Sequence, residues 1–324
     1  MQSFSSSGLD RRPRLLVVEL WGLGDVALAV PFLQLAARHA RVTLVAKPHA
    51  EPLVRRFCPG VELLPFTAPW TAFRGKYRLH RWPWLGLAGL VAGLRHRRFA
   101  AAVSARPDPR DHVLLAAAAA GLRAGFPRAG SAPLLNLGLP RPDSPHRFAH
   151  WQALATALGW TLPAPAAGPR VGRHVVIHTG AAQPTRQWPA DRFEEIAGRL
   201  RQAGWQVTVL DGQSGGLDDL LDVLATADRF IGNDSGPGHL AALSGVPTFT
   251  IIGSHPPGSF HPIHPHAAWI EGDPCPFKPC KDRCRFAEPH CIRSISVDQA
   301  WKQLAPWLAA PAGVRGAQEH PPRS

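Results

Sequence analysis

The sequence predicts an α/β protein of two doubly wound, Rossmann-like domains facing a central cleft, and three observations predict it. A chain of 324 residues has room for two domains of about 150 residues each. Short aliphatic runs alternate with helical periods along most of its length, the mark of a parallel sheet covered on both faces. Two segments also open with one grammar, Arg14-LLVVEL-WGLGD and His174-VVIHTGAA. In each, basic residues lead into an aliphatic strand and then a Gly-containing turn before a helix.

In the first half the pattern predicts strands at 15–20, 42–46, 61–65 and 100–104, with helices at 26–38, 50–57, 85–96 and 110–120. In the second it predicts strands at 174–178, 206–210, 228–232 and 247–252, with helices at 190–203, 217–226 and 237–244. Thr161-LPAPAAGPRVG between them is rich in Pro, Ala and Gly without an apolar period, which is linker composition. The expected organisation is a domain over 1–160, a linker over 161–173, a second domain over 174–311 and a loose tail over 312–324. Ligands of such sheets bind beyond the carboxyl ends of the strands, at helix N-termini.

Composition narrows the function classes. With 45% apolar and 18% charged residues, the chain is not of the disordered type. A net charge of +13, from 36 Lys and Arg against 23 Asp and Glu, favours polyanions such as nucleic acid, anionic lipid, or phosphorylated glycans and nucleotides. High Arg and Ala with one Tyr and one Met fits a GC-rich coding bias equally well. MQSFSSSGLDRRPR has no apolar core of signal-peptide type, so a cytoplasmic location is expected. Trp82 to Leu94 is the most apolar stretch and is too short to span a bilayer, which takes roughly 20 residues. Nine Lys or Arg between Arg74 and Arg110, against Asp108 alone, flank it. This admits peripheral contact with an anionic membrane at the inner-membrane surface, or a helix with solvated arginines at its ends.

Three strand–turn–helix loops carry candidate chemistry. In Trp21-Gly22-Leu23-Gly24-Asp25 the two glycines let a ligand approach the backbone, and Asp25 stands at a helix start, where a simple N-cap is the competing role. In His178-TGAAQPT-Arg186-Gln-Trp188-Pro189 small residues, hydroxyls and one Arg suit a diphosphate; a plain βα loop with a surface Arg is the competing role. In Gly232-Asn-Asp234-Ser235-Gly236-Pro-Gly238-His239 several donors meet a helix N-terminus, and capping with tight packing is the competing role.

Together and in this order, the three loops resemble glycosyltransferase family 9, the ADP-heptose:lipopolysaccharide heptosyltransferase family. The resemblance rests on LLVVEL-WGLGDVALAVPFL, VVIHTGAA…RQWPADRFEEIA and ADRFIGNDSGPGHLAALSGVPTFTIIG and covers most of residues 14–300. It implies the two-domain GT-B fold and an inverting transfer with no catalytic cofactor. It implies Asp25 as catalytic base and a nucleotide-sugar donor, ADP-heptose, held by Gly22, Gly24, Thr179, Gly180, Arg186, Asp234, Ser235, Gly236 and His239. The acceptor it implies is a glycan or glycolipid such as lipopolysaccharide core; a protein hydroxyl stays open. Two departures stand out. Glu19 occupies a position where many relatives carry a basic residue, and only Asp211 to Gly216 separates strand 206–210 from the next helix, where relatives usually have a further helix and strand.

Cys275, Cys280, Cys284 and Cys291 cluster among prolines, while Cys58 stands alone. Four thiolates so spaced suit a structural Zn or Fe site, with two disulfides or unpaired thiols as the alternatives. Four protein ligands would leave no open position for catalysis. Some members of the resembled family carry a similar segment, linked in some to bound iron. His255, His261, His264 and His266 are expected as loop residues near the cleft. Two other functions stay open: an inert GT-B relative serving as a metal-stapled assembly or binding module, and a basic nucleic-acid binder. No RNA-recognition or helix-turn-helix signature supports the latter, so no nucleic-acid partner is expected.

Overall fold

The computed structural model describes residues 12–72, 77–166, 170–213, 215–280 and 282–310. The tail expected over 312–324 lies outside the described residues. The chain divides into two compact units, Met1–Pro163 and Ala164–Ser324.

The first unit runs β1 (Arg14–Val18), α1 (Leu23–His39), β2 (Arg41–Ala46), α2 (Glu51–Phe57), β3 (Val61–Pro65), α3 (Trp84–His96), β4 (Ala101–Val103), α4 (Pro109–Ala117), β5 (Leu122–Gly125), β6 (Leu137–Gly138) and α5 (Arg147–Ala157). Its strands form one parallel sheet in the order β3-β2-β1-β4-β5-β6. β1 is central, with Leu15, Leu16, Val17 and Val18 all buried, because neighbours cover both faces of an all-parallel sheet. Val17 stands in register with Leu44 on one side and Val103 on the other. Each fully buried aliphatic side chain here contributes about 1.5–3 kcal/mol. Sequence order runs outward in both directions from the β1–β4 pair, which opens a crevice at their carboxyl ends. The strand β5, the edge strand β6 and the helix α5 were not expected from the sequence. LRAG and LG hold too few strand-forming residues to signal alone; β5 is held by pairing with β4, and β6 by pairing with β5.

The second unit runs β7 (His174–His178), α6 (Ala190–Gln202), β8 (Gln206–Leu210), α7 (Leu217–Thr226), β9 (Arg229–Asn233), α8 (Gly236–Leu243), β10 (Thr248–Ile252), the single turn α9 (Pro257–Phe260), β11 (Ala268–Glu271), the single turn α10 (His290–Arg293) and α11 (Val297–Ala309). The sheet is again parallel, in the order β11-β10-β9-β7-β8. The order reverses between β7 and β9. α6 buries Phe193, Ile196, Ala197 and Leu200, an i, i+3, i+4, i+7 stripe that makes it a core-facing helix. α11 starts on a capping box in which the Ser296 hydroxyl accepts the Gln299 N–H and the Gln299 side chain accepts the Ser296 N–H, satisfying two helix-end donors. The shortened β8–α7 connection turns through Gly212 and Gly215, both at positive φ, and ends with the Gly216 N–H donating to Asp219 Oδ2 at 2.6 Å.

Candidate functional site

All three loops singled out by the sequence fall at the two places where strand order reverses. The first follows β1 and faces the loop after β4; the second and third follow β7 and β9.

In the first unit, Gly22 is the N-cap of α1 and Asp25 its third residue. The Gly22 N–H donates to Asp25 Oδ2 at 3.1 Å, so the capping role is real. The other oxygen, Oδ1, accepts from Arg106 Nη2. Arg106 comes from the loop after β4. Its guanidinium lies over the Trp21 ring, 4.7 Å from the centroid, and its Nε is 3.9 Å from Glu19 Oε1. His112 Nε2 donates to the Arg106 carbonyl at 3.1 Å while Nδ1 accepts from the Ser131 hydroxyl at 2.8 Å, so the backbone carrying Arg106 is pinned from α4.

Glu19 is fully buried, and this burial, with the nearby Asp25 charge, pushes its carboxyl up to about 8 despite the opposing pull of Arg106 and Arg147. Glu19 therefore holds a proton at neutral pH, and the carboxyl hydrogen-bonded to Arg106 is that of Asp25. Burial likewise raises Asp111 to about 7, against the Trp70 Nε1–H that donates to its Oδ1 at 3.0 Å. Arg147 is lowered to about 10 by burial and by Arg106, and Lys47 is lowered by burial. The departure at Glu19 thus sits among cations drawn from other elements. Sequence reading missed Arg106, Arg147 and Lys47; the signal for Arg106 was its place just beyond a strand's carboxyl end.

In the second unit, the Thr179 N–H donates to the Leu210 carbonyl at 2.9 Å, which ties the second loop to β8. Gly180 packs so closely that a Cβ there would stand 2.6 Å from the Asp211 carbonyl oxygen. Asn233, wholly buried at the end of β9, donates through Nδ2 to the Thr179 carbonyl at 2.7 Å and accepts the Trp188 N–H at 3.0 Å. One amide therefore aligns the loops after β7 and β9, and losing it would cost about 1–3 kcal/mol. Ser235 is the N-cap of α8, but its hydroxyl donates to the Asn233 carbonyl at 3.3 Å and makes no side-chain cap bond. His239 and Asp234 are buried, and Asp234 Oδ2 lies 3.4 Å from His255 Nδ1. Of the four clustered histidines, His255 is therefore at the site. His264 and His266 are buried at the opposite, amino-terminal edge of the sheet, and His264 is lowered to about 4 by burial.

Arg186 closes a short 3-10 turn, Pro184–Arg186, and is clasped by Asp282 of the Cys-rich segment. Arg186 Nε donates to Asp282 Oδ1 at 2.8 Å and Nη2 donates to Oδ2. Thr185 and Ser254 hydroxyls donate to the same Oδ1 at 3.1 and 2.8 Å. Burial alone would raise the Asp282 carboxyl, but the Arg186 and Ser254 contacts hold it below the usual range.

Cys275, Cys280, Cys284 and Cys291 line one pocket together with Thr185 and Ser254. None is disulfide-bonded. Burial, with the three neighbouring thiols, raises the Cys291 thiol. Among the described residues no three His, Cys, Asp or Glu side chains are arranged to grip a metal ion. The four sulfurs share that one pocket. Cys58 is buried apart from them, its thiol pushed up to about 12 by desolvation.

The family model of glycosyltransferase family 9 (heptosyltransferase) matches residues 136–216 and 214–289. Its two segments meet in the shortened β8–α7 connection. Lipopolysaccharide heptosyltransferase 1 of Pseudomonas aeruginosa is 26% identical over 178 residues, which span 44% of this chain and 50% of that protein. The chain thus matches about half the length of this curated relative. The solved structure of E. coli heptosyltransferase WaaC with ADP has a TM-score of 0.71 at 15% identity, covering 91% of this chain and 99% of that one. The iron-containing dodecameric glycosyltransferase TibC of enterotoxigenic E. coli has a TM-score of 0.57 at 16% identity, covering 92% and 77%. The fold is the two-domain GT-B fold, and the second and third loops fall inside the residues matched by the family model, while the first lies outside them.

Proposed function

We propose that this chain, which carries a family 9 domain over residues 136–289 on a GT-B fold, is an inverting glycosyltransferase moving a heptose from ADP-heptose to a glycan such as lipopolysaccharide core. The observation that carries this reading is the position of the three resembling loops at the strand-order reversals of the two sheets. These are the crevices where open α/β sheets bind ligands.

In this reading Asp25 takes the proton of the acceptor hydroxyl as its oxygen bonds to the anomeric carbon. The bond from that carbon to the phosphate oxygen breaks, and ADP leaves with the electron pair. Asp25 suits the role because Arg106 and the Gly22 N–H at the start of α1 hold its carboxylate in place at the carboxyl end of β1. Protonated Glu19 adds no second negative charge beside it. The charge growing on the diphosphate would meet Arg186 and the N-terminus of α8, which supply electrostatic stabilisation without requiring a catalytic metal. Thr179, Gly180, Asp234, Ser235, Gly236 and His239 shape that pocket, with Asn233 holding its two loops in register.

The same reading gives Cys275, Cys280, Cys284 and Cys291 a structural role holding Zn or iron. A thiolate donor set suits either metal, and the four line one pocket. The neighbour TibC is itself iron-containing. The metal would hold the segment in place and take no part in the transfer. Work on a membrane-borne acceptor fits the basic surface around α3, where Trp84 and Leu85 are exposed.

Calorimetry with ADP-heptose, ADP, UDP and GDP in the absence of Mg²⁺ tests the donor. Selective binding of ADP and ADP-heptose is expected, and binding of no nucleotide would sink the assignment in favour of an inert GT-B module.

A further inference from the structure

The Cys-rich segment reaches into the donor site through one carboxylate. Asp282 stands between Cys280 and Cys284, and four donors converge on it: Arg186 Nε, Arg186 Nη2, the Thr185 hydroxyl and the Ser254 hydroxyl. Thr185 and Arg186 belong to the loop after β7, and Ser254 follows β10. A carboxylate from a distant segment therefore ties two strand-end loops together. Thr185 and Ser254 also line the pocket shared by the four cysteines, so the anchor and the cysteine cluster are one structural unit. Asp282 sits at positive φ, a conformation that Asp adopts more readily than most side chains.

We propose that Asp282 is a positioning residue for the donor: it fixes the Arg186 guanidinium that meets the diphosphate, and so makes the Cys-rich segment part of the nucleotide site. The proposal rests on the reading that Arg186 binds that diphosphate. An unrestrained Arg side chain loses rotamer entropy when a ligand orders it. A bidentate clasp on the Nε–Nη2 edge sets the plane of the guanidinium in advance, and such preorganisation improves affinity. Anything that displaces the segment, including modification of the pocket thiols, would release Arg186 from this orientation.

The test is ADP binding by calorimetry to the full chain and to Asp282→Ala, Asp282→Asn, Arg186→Ala and the Arg186→Ala/Asp282→Ala double variant. Asp282→Ala should weaken ADP binding about tenfold, the size of a lost hydrogen-bonded charge contact. Asp282→Asn, which keeps an acceptor for Nε, should recover part of that loss. In the Arg186→Ala background, removing Asp282 should cost nothing further, because both act through the same guanidinium. Ser254→Ala, which takes one donor from Asp282, should show the same pattern on a smaller scale, and it decides the matter if Asp282→Ala fails to fold. Unchanged or tighter ADP binding in Asp282→Ala, beside a weakened Arg186→Ala, would overturn the positioning role. So would additive losses in the double variant. Unchanged binding in Arg186→Ala would overturn the parent reading and the proposal with it.

Discussion

Asp25 and Arg106 form an ion pair across the carboxyl ends of β1 and β4, with the guanidinium also resting on Trp21. Two strands far apart in sequence are adjacent in the sheet, and the pair exists only because they are. Its consequence is a carboxylate held in one orientation at a helix N-terminus within a group of largely buried ionisable side chains.

Asp25→Asn keeps the shape and one of the two oxygens that accept from the Gly22 N–H and Arg106, and removes the base. Single-turnover transfer from ADP-heptose should slow by about 10²–10⁴-fold, while ADP affinity by calorimetry stays near that of the parent chain. Full activity in the variant would exclude Asp25 as base.

Glu19 titrates near 8 in the folded chain against a reference value of 4.5. The folded state therefore binds more protons between those values, and stability falls as pH rises through that window. Glu19→Gln should flatten this part of the stability–pH curve and raise Tm by a few degrees at pH 8 to 9, measured by thermal unfolding in a buffer series. An unchanged slope would mean that Asp111, which titrates near 7, sets the dependence.

Gly180→Ala would set a Cβ 2.6 Å from the Asp211 carbonyl oxygen and 3.0 Å from the buried His178 ring, which leaves little room to yield. A destabilisation of about 1–3 kcal/mol is expected, read from urea unfolding, together with weaker ADP binding. Gly198→Ala on α6, where a Cβ meets nothing within 4 Å, should not destabilise and serves as the control.

Elemental analysis of the purified chain should find close to one Zn or Fe per molecule, lost on Cys284→Ser. A metal-free chain with all four thiols titratable by a sulfhydryl reagent would remove the structural metal. Intact disulfides on mass spectrometry would replace it.

Leu85 is 91% exposed and Trp84 51% exposed at the start of α3, with Arg78, Arg81 and Arg95 exposed close by. Sedimentation with vesicles containing anionic lipid should pull down the parent chain at low salt, and Leu85→Glu should reduce the bound fraction severalfold by adding a charge where an apolar contact was made. Equal binding to neutral vesicles would argue against an electrostatic contribution.

The sequence by itself determined the α/β class, the eight strands and seven helices with strong periodic signals, and the three loops that resemble family 9. Those features are local. An aliphatic run, a helical stripe or a Gly-rich turn is written in neighbouring residues, and parallel sheets bury both faces so thoroughly that the runs are hard to miss. Only the tertiary structure decided what surrounds the loops. Arg106 reaches Asp25 over 81 residues and Asp282 reaches Arg186 over 96, because adjacent strands bring distant loops to one sheet edge. The weak strands β5 and β6 were silent for the same reason, since their pairing partners supply what their own residues lack. The shift at Glu19 belongs to burial and to neighbours from several elements, and no stretch of sequence around Glu19 contains them.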